Sequence, residues 1–119
     1  MPNAESDPTS FLPLSPPVFH VMVSVADGDR HGYAIIKDVA ERTNGAQRLA
    51  AGTLYAILKR LLDDDLISEV QDADADDQRR RCYRLTPLGR RVARAEVERL
   101  EGAVASARSS RLFGRTRSV

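Results

Sequence analysis

The chain has 119 residues, of which 42% are hydrophobic and 29% charged, so it is long enough for about one globular domain with a modest core. Its one cysteine excludes an internal disulfide, and two scattered histidines do not complete a metal site with it. The N-terminus lacks the pattern of a secretory signal, and no apolar run approaches the roughly 20 residues of a membrane-spanning helix. We therefore expect a cytoplasmic protein with no membrane segment, metal or cofactor.

The net charge of +1 conceals a reversal of sign along the chain. Residues 63–77 carry eight acids and no base, whereas residues 78–94 carry seven arginines and no acid. A solvated acidic loop followed by a helix with a charged face would explain this pattern. A basic surface for nucleic acid beside an acidic loop would explain it as well.

Prolines among small polar residues predict a disordered leader over residues 1–13. The Ser-Pro-Pro sequence that ends at Pro17 predicts a helix that begins there and continues to about Asp27. This helix is apolar on almost every side except for a narrow stripe of His20 and Ser24. Such a helix is usually buried on most of its surface, which favours a partner subunit.

A second helix is predicted from about Gly32 to Thr43, where Asn44 and Gly45 end it. The helical period assigns to its inner face Tyr33, Ile36, Val39 and Ala40, and to its outer face Lys37, Asp38, Glu41 and Arg42. A short connector, residues 46–50, leads to the next helix. Two helices, a short connection and a third helix with a polar outer face form a helix-turn-helix.

The third helix, predicted over Ala51–Asp64, is apolar on one face only. Its other face is small and hydroxylic at the start and basic further along, and it carries Gly52, Thr53, Ala56, Lys59, Arg60 and Asp63, with Tyr55 on the flank. Free backbone N–H groups and the helix dipole favour an anion at the N-terminal end. The acidic C-terminal end would be repelled by phosphate, so the Gly52–Tyr55 end must face the DNA if this is a recognition helix.

Two strands, residues 67–71 and 79–85, flank an acidic loop and predict a β-hairpin with a basic returning strand, which is the form of a wing. On the returning strand one side carries Arg79, Arg81, Tyr83 and Leu85, and the other carries Arg80, Cys82 and Arg84. The loop is not a calcium site of the EF-hand type, because Asp77 replaces the required glycine and Tyr83 the required glutamate.

Thr86 and Pro87 open a last helix that is predicted to continue to about Arg108. Apolar residues recur along it at spacings of four and three, at Ala93, Val97, Leu100, Val104 and Ala107. A helix packed only on its own domain would also be compatible with this pattern. Because the helix is long for so small a domain, we favour a dimerisation seam, followed by a basic, disordered tail over residues 109–119.

The sequence contains no phosphate-binding glycine loop, nucleophile elbow or metal-spaced cluster, so we assign no catalytic residue and no metal ligand. His20 and His31 are expected to pack or cap rather than to catalyse. Cys82 is expected to be a half-buried strand residue. A redox-sensor role is less well supported, because such a sensor usually has a resolving cysteine nearby and this chain has no second cysteine.

Five motifs in order resemble the PadR family of transcriptional regulators: His31-Gly-Tyr33, Gly52-Thr-Leu-Tyr55, Leu58-Lys-Arg-Leu61, Leu66-Ile67 and Tyr83-Arg-Leu-Thr-Pro-Leu-Gly89. The resemblance extends from about Leu14 to the end of the last helix, and the short terminal helix is similar to that of the compact subfamily. It implies a winged-helix domain, a C-terminal dimerisation helix and a homodimer on palindromic operator DNA.

The resemblance also implies functional residues. The recognition-helix motif corresponds to Gly52, Thr53 and Tyr55, its exposed continuation to Lys59 and Arg60, and the basic wing to Arg79, Arg80 and Arg81. Asp65 departs from a common turn glycine, and Cys82 from a common aromatic residue. Members often repress detoxification or efflux genes in response to small aromatic or drug-like ligands, and Phe19, His20 and Met22 are the candidate residues of such a pocket.

We therefore predict an α+β fold, mainly α: a winged helix-turn-helix over residues 14–86 and a dimerisation helix over residues 87–108. The predicted function is that of a homodimeric, sequence-specific DNA-binding regulator, a repressor whose affinity for its operator is modulated by a small molecule. The alternative is a winged-helix protein–protein adaptor that binds no DNA, supported by the near-neutral charge. An enzyme is the least supported class.

Overall fold

The computed structural model describes residues 7–71 and 81–113. Within them the helices are α1 (Pro16–Ala26), α2 (Gly32–Arg42), α3 (Ala51–Asp63) and α4 (Pro87–Arg108), and the strands are β1 (Arg30–His31), β2 (Ile67–Val70) and β3 (Cys82–Leu85). The mainly helical α+β prediction is confirmed, and the predicted helices begin or end within one residue of the observed ones. Both hairpin strands are shorter than predicted.

β3 is the central strand of a small antiparallel sheet with the order β1-β3-β2. Ile67 of β2 lies opposite Leu85, and His31 of β1 lies opposite Cys82. β1 was not predicted, because two residues are too few to show an alternating pattern and their strand character comes only from pairing with β3. Cys82, expected to be half-buried, is buried between the two outer strands.

The core lies where the four helices meet one another and the sheet. α3 contributes the apolar face that the sequence predicts, Leu54, Leu58 and Leu61. The other elements contribute Val21, Met22, Val25, Ile35, Val39, Leu66, Ile67, Tyr83, Leu85, Leu88 and Val92.

Tyr33 does not belong to the inner face of α2, to which the helical period assigned it. Its side chain is 72% exposed, and the buried positions of α2 are Gly32, Ile35 and Val39. The tyrosine of α3, Tyr55, occupies the space beside Gly32, since a Cβ at Gly32 would lie 2.7 Å from its hydroxyl oxygen. Tyr33, one residue further along α2, remains exposed.

Polar side chains also join α1 to α2 in a way that periodicity did not indicate. Ser24, expected on a polar stripe, is completely buried, and its carbonyl accepts a hydrogen bond of 2.9 Å from Arg30 Nε. Asp38, expected outside, is mostly covered and lies 3.7 Å from Arg30 and 2.6 Å from Arg42. Arg42 reaches Asp27 as well. This network holds β1 and the ends of both helices together.

Residues 7–13 belong to the leader that we expected to be disordered, and the structure describes them. They contain a 3-10 turn, Pro8–Phe11, whose start is capped by the Asp7 carboxylate accepting from Thr9 N at 2.9 Å. Phe11 and Leu12 pack against the core, and this apolar contact outweighs the loop-forming composition of the segment. Residues 1–6 of the expected leader lie outside the described residues.

The structure also describes the chain after α4 as far as Phe113. The hydroxyl groups of Ser109 and Ser110 donate to the carbonyls of Ser106 and Ala107, and a 3-10 turn follows at Arg111–Phe113. Serine hydroxyls therefore satisfy carbonyls at the end of α4, at the start of the tail that we expected to be disordered. Residues 114–119 lie outside the described residues.

Candidate nucleic-acid interface

The outer face of α3 is open to solvent along its whole length. Exposed on it are Gly52, Thr53, Ala56, Lys59, Arg60 and Asp63. No atom lies within 4 Å of the position that a Cβ would occupy at Gly52, so the backbone of the first turn can be approached closely from outside. The structure therefore places the predicted residues of this helix together on one accessible surface.

Tyr55 lies on the flank of this surface and is 49% exposed. Its hydroxyl rests against the backbone of Gly32, so the ring ties the first half of α3 to the start of α2. Tyr83 of β3 lies near it: burial, then the charge of Glu69 and the proximity of Tyr55, raise the pKa of Tyr83. Tyr55 is thus a packing residue with one accessible edge, which agrees with its predicted position on the flank.

The two cations of α3 differ in their surroundings. Lys59 Nζ lies 3.5 Å from the Asp63 carboxylate in an exposed pair, which holds the lysine only weakly. Arg60, also exposed, has no carboxylate partner among residues 7–71 and 81–113. Both guanidinium and ammonium groups are therefore accessible to an external anion.

Of the three wing arginines, the structure describes one. Arg81 is exposed, and its guanidinium lies 3.2 Å from the Glu69 carboxylate on the opposite strand. Arg79, Arg80 and the acidic loop at 72–78 lie outside the described residues. Arg84 makes two hydrogen bonds of 2.7 and 3.1 Å to Asp29, which lower the pKa of that carboxyl. Arg84 therefore joins β3 to the turn before β1.

Sequence reasoning missed two exposed cations near α3. Arg48 lies in the connector between α2 and α3, with its guanidinium against Gly45. Lys37 lies on the outer face of α2, with its ammonium 6.0 Å from the centre of the Tyr33 ring. Neither has a carboxylate partner in the part of the chain that the structure describes. The connector, residues 46–50, contains no acid, and this could have identified Arg48 from the sequence as a cation without a local partner.

The second half of α4 carries an uncovered apolar stripe. Val97, Leu100 and Val104 are all exposed, Val104 to 52%. With Phe19 of α1 they line an open groove of about 460 Å³, whose other walls are Glu101, Ala105 and Arg108. Leu112 and Phe113 are exposed just beyond it. This stripe is longer than the domain can cover by itself.

Two members of the predicted seam are not part of the exposed stripe. Ala93 is buried in the core of its own domain, because the first half of α4 packs on α1 and β3. Ala107 is partly covered. The exposed members of the predicted seam therefore lie in the second half of the helix.

The three candidate pocket residues, Phe19, His20 and Met22, differ in whether they line the groove. Phe19 lines the groove, and His20 contacts its ring edge-on at a centroid distance of 5.4 Å without lining the groove. Met22 is completely buried in the core, so its assignment to a pocket is wrong. The sequence could not show that Met22 faces the domain interior, because α1 is apolar on nearly all sides and the pattern does not reveal which side is covered.

Residues 7–71 and 81–113 hold no cluster of His, Cys, Asp and Glu side chains arranged to bind a metal. No helix in these ranges combines the length and apolar character that crossing a bilayer requires.

Comparison with known sequences gives a consistent picture. The chain is 33% identical over 82 residues to the transcriptional regulator Rv3488 of Mycobacterium tuberculosis, a match that covers 69% of this chain and 73% of that protein. It is 33% identical over 66 residues to protein X of Lysinibacillus sphaericus, 56% of this chain and 61% of the relative. It spans only 24% of a 37.1 kDa protein of transposon TN4556 from Streptomyces fradiae, at 37% identity over 87 residues.

Solved structures share the fold. A PadR family transcription regulator from Clostridium difficile superimposes with a TM-score of 0.69 at 24% identity, covering 84% of this chain and all of that one. A PadR family regulator from Eggerthella lenta gives a TM-score of 0.63 at 27% identity, covering 83% and 82% of the two chains. These neighbours confirm the winged-helix fold, and they are transcriptional regulators rather than enzymes. Since the model of the transcriptional regulator PadR-like family matches residues 21–95, the chain belongs to that family.

Proposed function

We propose that the protein is a homodimeric, sequence-specific DNA-binding regulator in which α3 enters the major groove. The observation that carries this proposal is the accessible outer face of α3, where glycine, threonine and alanine leave the helix backbone open at Gly52 and basic residues follow. Small residues let a helix approach base edges closely, and hydroxyl and basic groups bind bases and phosphates. Membership of a family of transcriptional regulators gives the same class of function.

The charges along α3 determine which end leads. Asp63, Asp64 and Asp65 follow one another at its C-terminal end, whereas its first two turns contain no acid. Repulsion between these carboxylates and the DNA backbone favours entry by the Gly52–Tyr55 end, where the positive end of the helix dipole also lies. In this orientation Thr53 and Tyr55 reach phosphates, and Lys59 and Arg60 reach the groove or the backbone.

The wing supplies contacts to the flanking phosphates through Arg79, Arg80 and Arg81. Arg81 is the described member, and its exposed pair with Glu69 is weak enough for a phosphate to replace. α3 and β2 are in contact, so the base of this hairpin lies beside α3. We infer that wing and α3 act on the same face of the domain.

A second copy of the chain is the proposed partner of the exposed stripe on α4. Val97, Leu100 and Val104 form an apolar face at coiled-coil spacing on a helix that continues past the core of its domain. Pairing of two such faces places two copies of α3 on one side of a dimer. Successive major grooves lie about 34 Å apart, so a palindromic operator with half-sites one turn apart fits this arrangement.

The groove beside Phe19 is the proposed site of a small aromatic or drug-like effector. Its walls are almost entirely apolar, with Glu101 and Arg108 at the edge. Because the groove lies on the stripe that we assign to the dimer, a ligand there would change the separation of the two α3 helices. The protein would then act as a repressor whose affinity for its operator depends on the effector.

The adaptor alternative rests on a specific observation. Lys59, Arg81 and Arg84 all have acidic partners within the domain, which reduces the net attraction for an external polyanion. A surface neutralised in this way is also suited to contact another protein. DNA binding and its salt dependence separate the two functions.

The experiment is a titration of labelled DNA from the region upstream of its own gene at several salt concentrations. Phosphate contacts release counterions, so affinity must fall steeply as salt rises. Replacing Arg80 and Arg81 by alanine is expected to weaken binding to all sequences and to reduce the slope by about 1 for each phosphate that is no longer bound. Absence of binding even at low salt would leave the adaptor function.

A further inference from the structure

Tyr33 is an exposed aromatic residue at the start of α2 that takes no part in the core. It is the second residue of α2, follows the buried Gly32 and is 72% exposed. Tyrosine combines an apolar ring with a hydroxyl that can form hydrogen bonds, and it is enriched where a protein surface contacts a partner. The position therefore calls for an explanation outside the core.

Lys37 lies one turn further along α2, with its ammonium 6.0 Å from the centre of the Tyr33 ring. A cation near the face of an aromatic ring is held in place without losing its charge. Lys59, Arg81 and Arg84 each have a carboxylate within 4 Å, whereas the described ranges contain no such partner for Lys37. Lys37 is therefore available to an external anion, and its ammonium lies near the Tyr33 ring.

The pair lies next to the leading end of α3. The hydroxyl of Tyr55, on the second turn of α3, rests against Gly32, and Tyr33 is the next residue along the chain. The start of α2, which carries Tyr33 and Lys37, therefore lies beside the Tyr55 end of α3. A DNA duplex that covers the outer face of α3 would therefore also reach the start of α2.

We propose that Tyr33 and Lys37 bind one phosphate of the DNA backbone at the edge of the groove that α3 enters. The Tyr33 hydroxyl donates a hydrogen bond to a phosphate oxygen, and the Lys37 ammonium forms an ion pair with the same phosphate. The inference rests on the proposed function and extends it to α2, where the sequence assigned Tyr33 to the inner face and Lys37 to the outer face. A contact of this type positions the domain and adds affinity without sequence preference.

The test measures fluorescence anisotropy of a labelled random-sequence duplex of about 30 base pairs over a series of salt concentrations. Tyr33→Phe removes only the hydroxyl, and Lys37→Gln removes only the charge. Arg94→Gln is the control for charge, because Arg94 is exposed on α4, a helix to which we assign no contact with DNA. Circular dichroism verifies that all variants retain the helical content of the parent.

Lys37→Gln is expected to weaken binding about tenfold at low salt and to lower the salt slope by about 2 in a dimer, one for each copy. Tyr33→Phe is expected to weaken binding about threefold without changing the slope, because it removes no charge. If Lys37→Gln and Arg94→Gln have the same affinity and slope while the parent binds, the contact on α2 does not exist and the role of α3 stands. If the parent fails to bind the duplex at the lowest salt, the proposed function and this inference are both wrong.

Discussion

Gly89, in the first turn of α4, lies directly against the carbonyl oxygen of Leu66, which follows the end of α3. A Cβ at Gly89 would overlap this oxygen, which also accepts a hydrogen bond of 3.1 Å from Thr86 N. The Thr86 hydroxyl donates to the Asp65 carbonyl at 2.7 Å and accepts from Gly89 N at 2.9 Å. Asp65 has a φ of 61°, which is the left-handed conformation. This conformation explains why a glycine is common at the position, and aspartate tolerates it. The end of α3 and the start of α4 are thus joined through their backbones.

Replacing Gly89 by alanine should destabilise the fold by about 1–3 kcal/mol, because the new methyl group forces two backbones apart in a packed region. Urea unfolding followed by circular dichroism measures the change. Gly102→Ala is the matched control: no atom lies within 4 Å of its Cβ position, and alanine should stabilise α4 by about 0.5–1 kcal/mol. Equal effects of the two substitutions would show that the contact with Leu66 is not tight.

Glu96 should make stability depend on pH. It is 2% exposed, accepts hydrogen bonds of 2.7 and 2.9 Å from Arg99, and accepts one of 3.3 Å from Leu14 N. The bonds from Arg99 lower the pKa of Glu96 below its ordinary 4.5; burial opposes this shift, and the Leu14 N–H supports it. Because the folded-state pKa is the lower one, this stabilisation is complete above the unfolded-state pKa and is lost as pH falls through the folded-state pKa.

Glu96→Gln should therefore lower the free energy of unfolding by about 1 kcal/mol at neutral pH. The difference from the parent should shrink towards zero as the pH is lowered in successive urea titrations. Glu98→Gln, an equal charge change at an exposed position of α4, serves as the control. A difference between Glu96→Gln and the parent that stays constant down to acid pH would contradict an ionised role for this carboxylate.

Gly52→Ala should separate folding from DNA binding. Nothing in the domain occupies the space of a Cβ at Gly52, so alanine should stabilise α3 by about 0.5–1 kcal/mol. The added methyl group points outwards, where it would hinder close approach to DNA, and we expect affinity for an operator fragment to fall about tenfold. Gly102→Ala should give the same gain in stability with unchanged affinity. Parental affinity of the Gly52 variant would rule out close approach of DNA at this position.

Val104→Asp should abolish the dimer while leaving the monomer folded. The side chain is 52% exposed in one chain, so the charge costs little there, but pairing would bury it unpaired. We expect the dimer to weaken roughly a hundredfold or more, as measured by sedimentation. Ser106→Asp, on the opposite side of α4, should leave the assembly unchanged. A parent that is monomeric at micromolar concentration would refute dimerisation by this face.

The sequence by itself determined the order and type of the helices and the two hairpin strands. The apolar face of α3 was predicted because Leu54, Leu58 and Leu61 recur at the helical period, which is a local property of the chain. The start of α4 was predicted from Thr86 and Pro87, and the hydroxyl of Thr86 caps that helix. Local chemistry also placed the small and basic residues of α3 on one outer surface.

The tertiary structure decided which predicted faces are covered. Periodicity groups the residues that share a side of a helix, but whether that side is buried depends on what another element places against it. Tyr33 is exposed while Tyr55 of the neighbouring helix fills the space beside Gly32, and Met22 is buried while Phe19 lines the groove. Ala93 and Val104 belong to one heptad pattern, yet only Val104 is exposed, because the domain ends between them. Competition between distant segments for the same space leaves no local signal in the sequence.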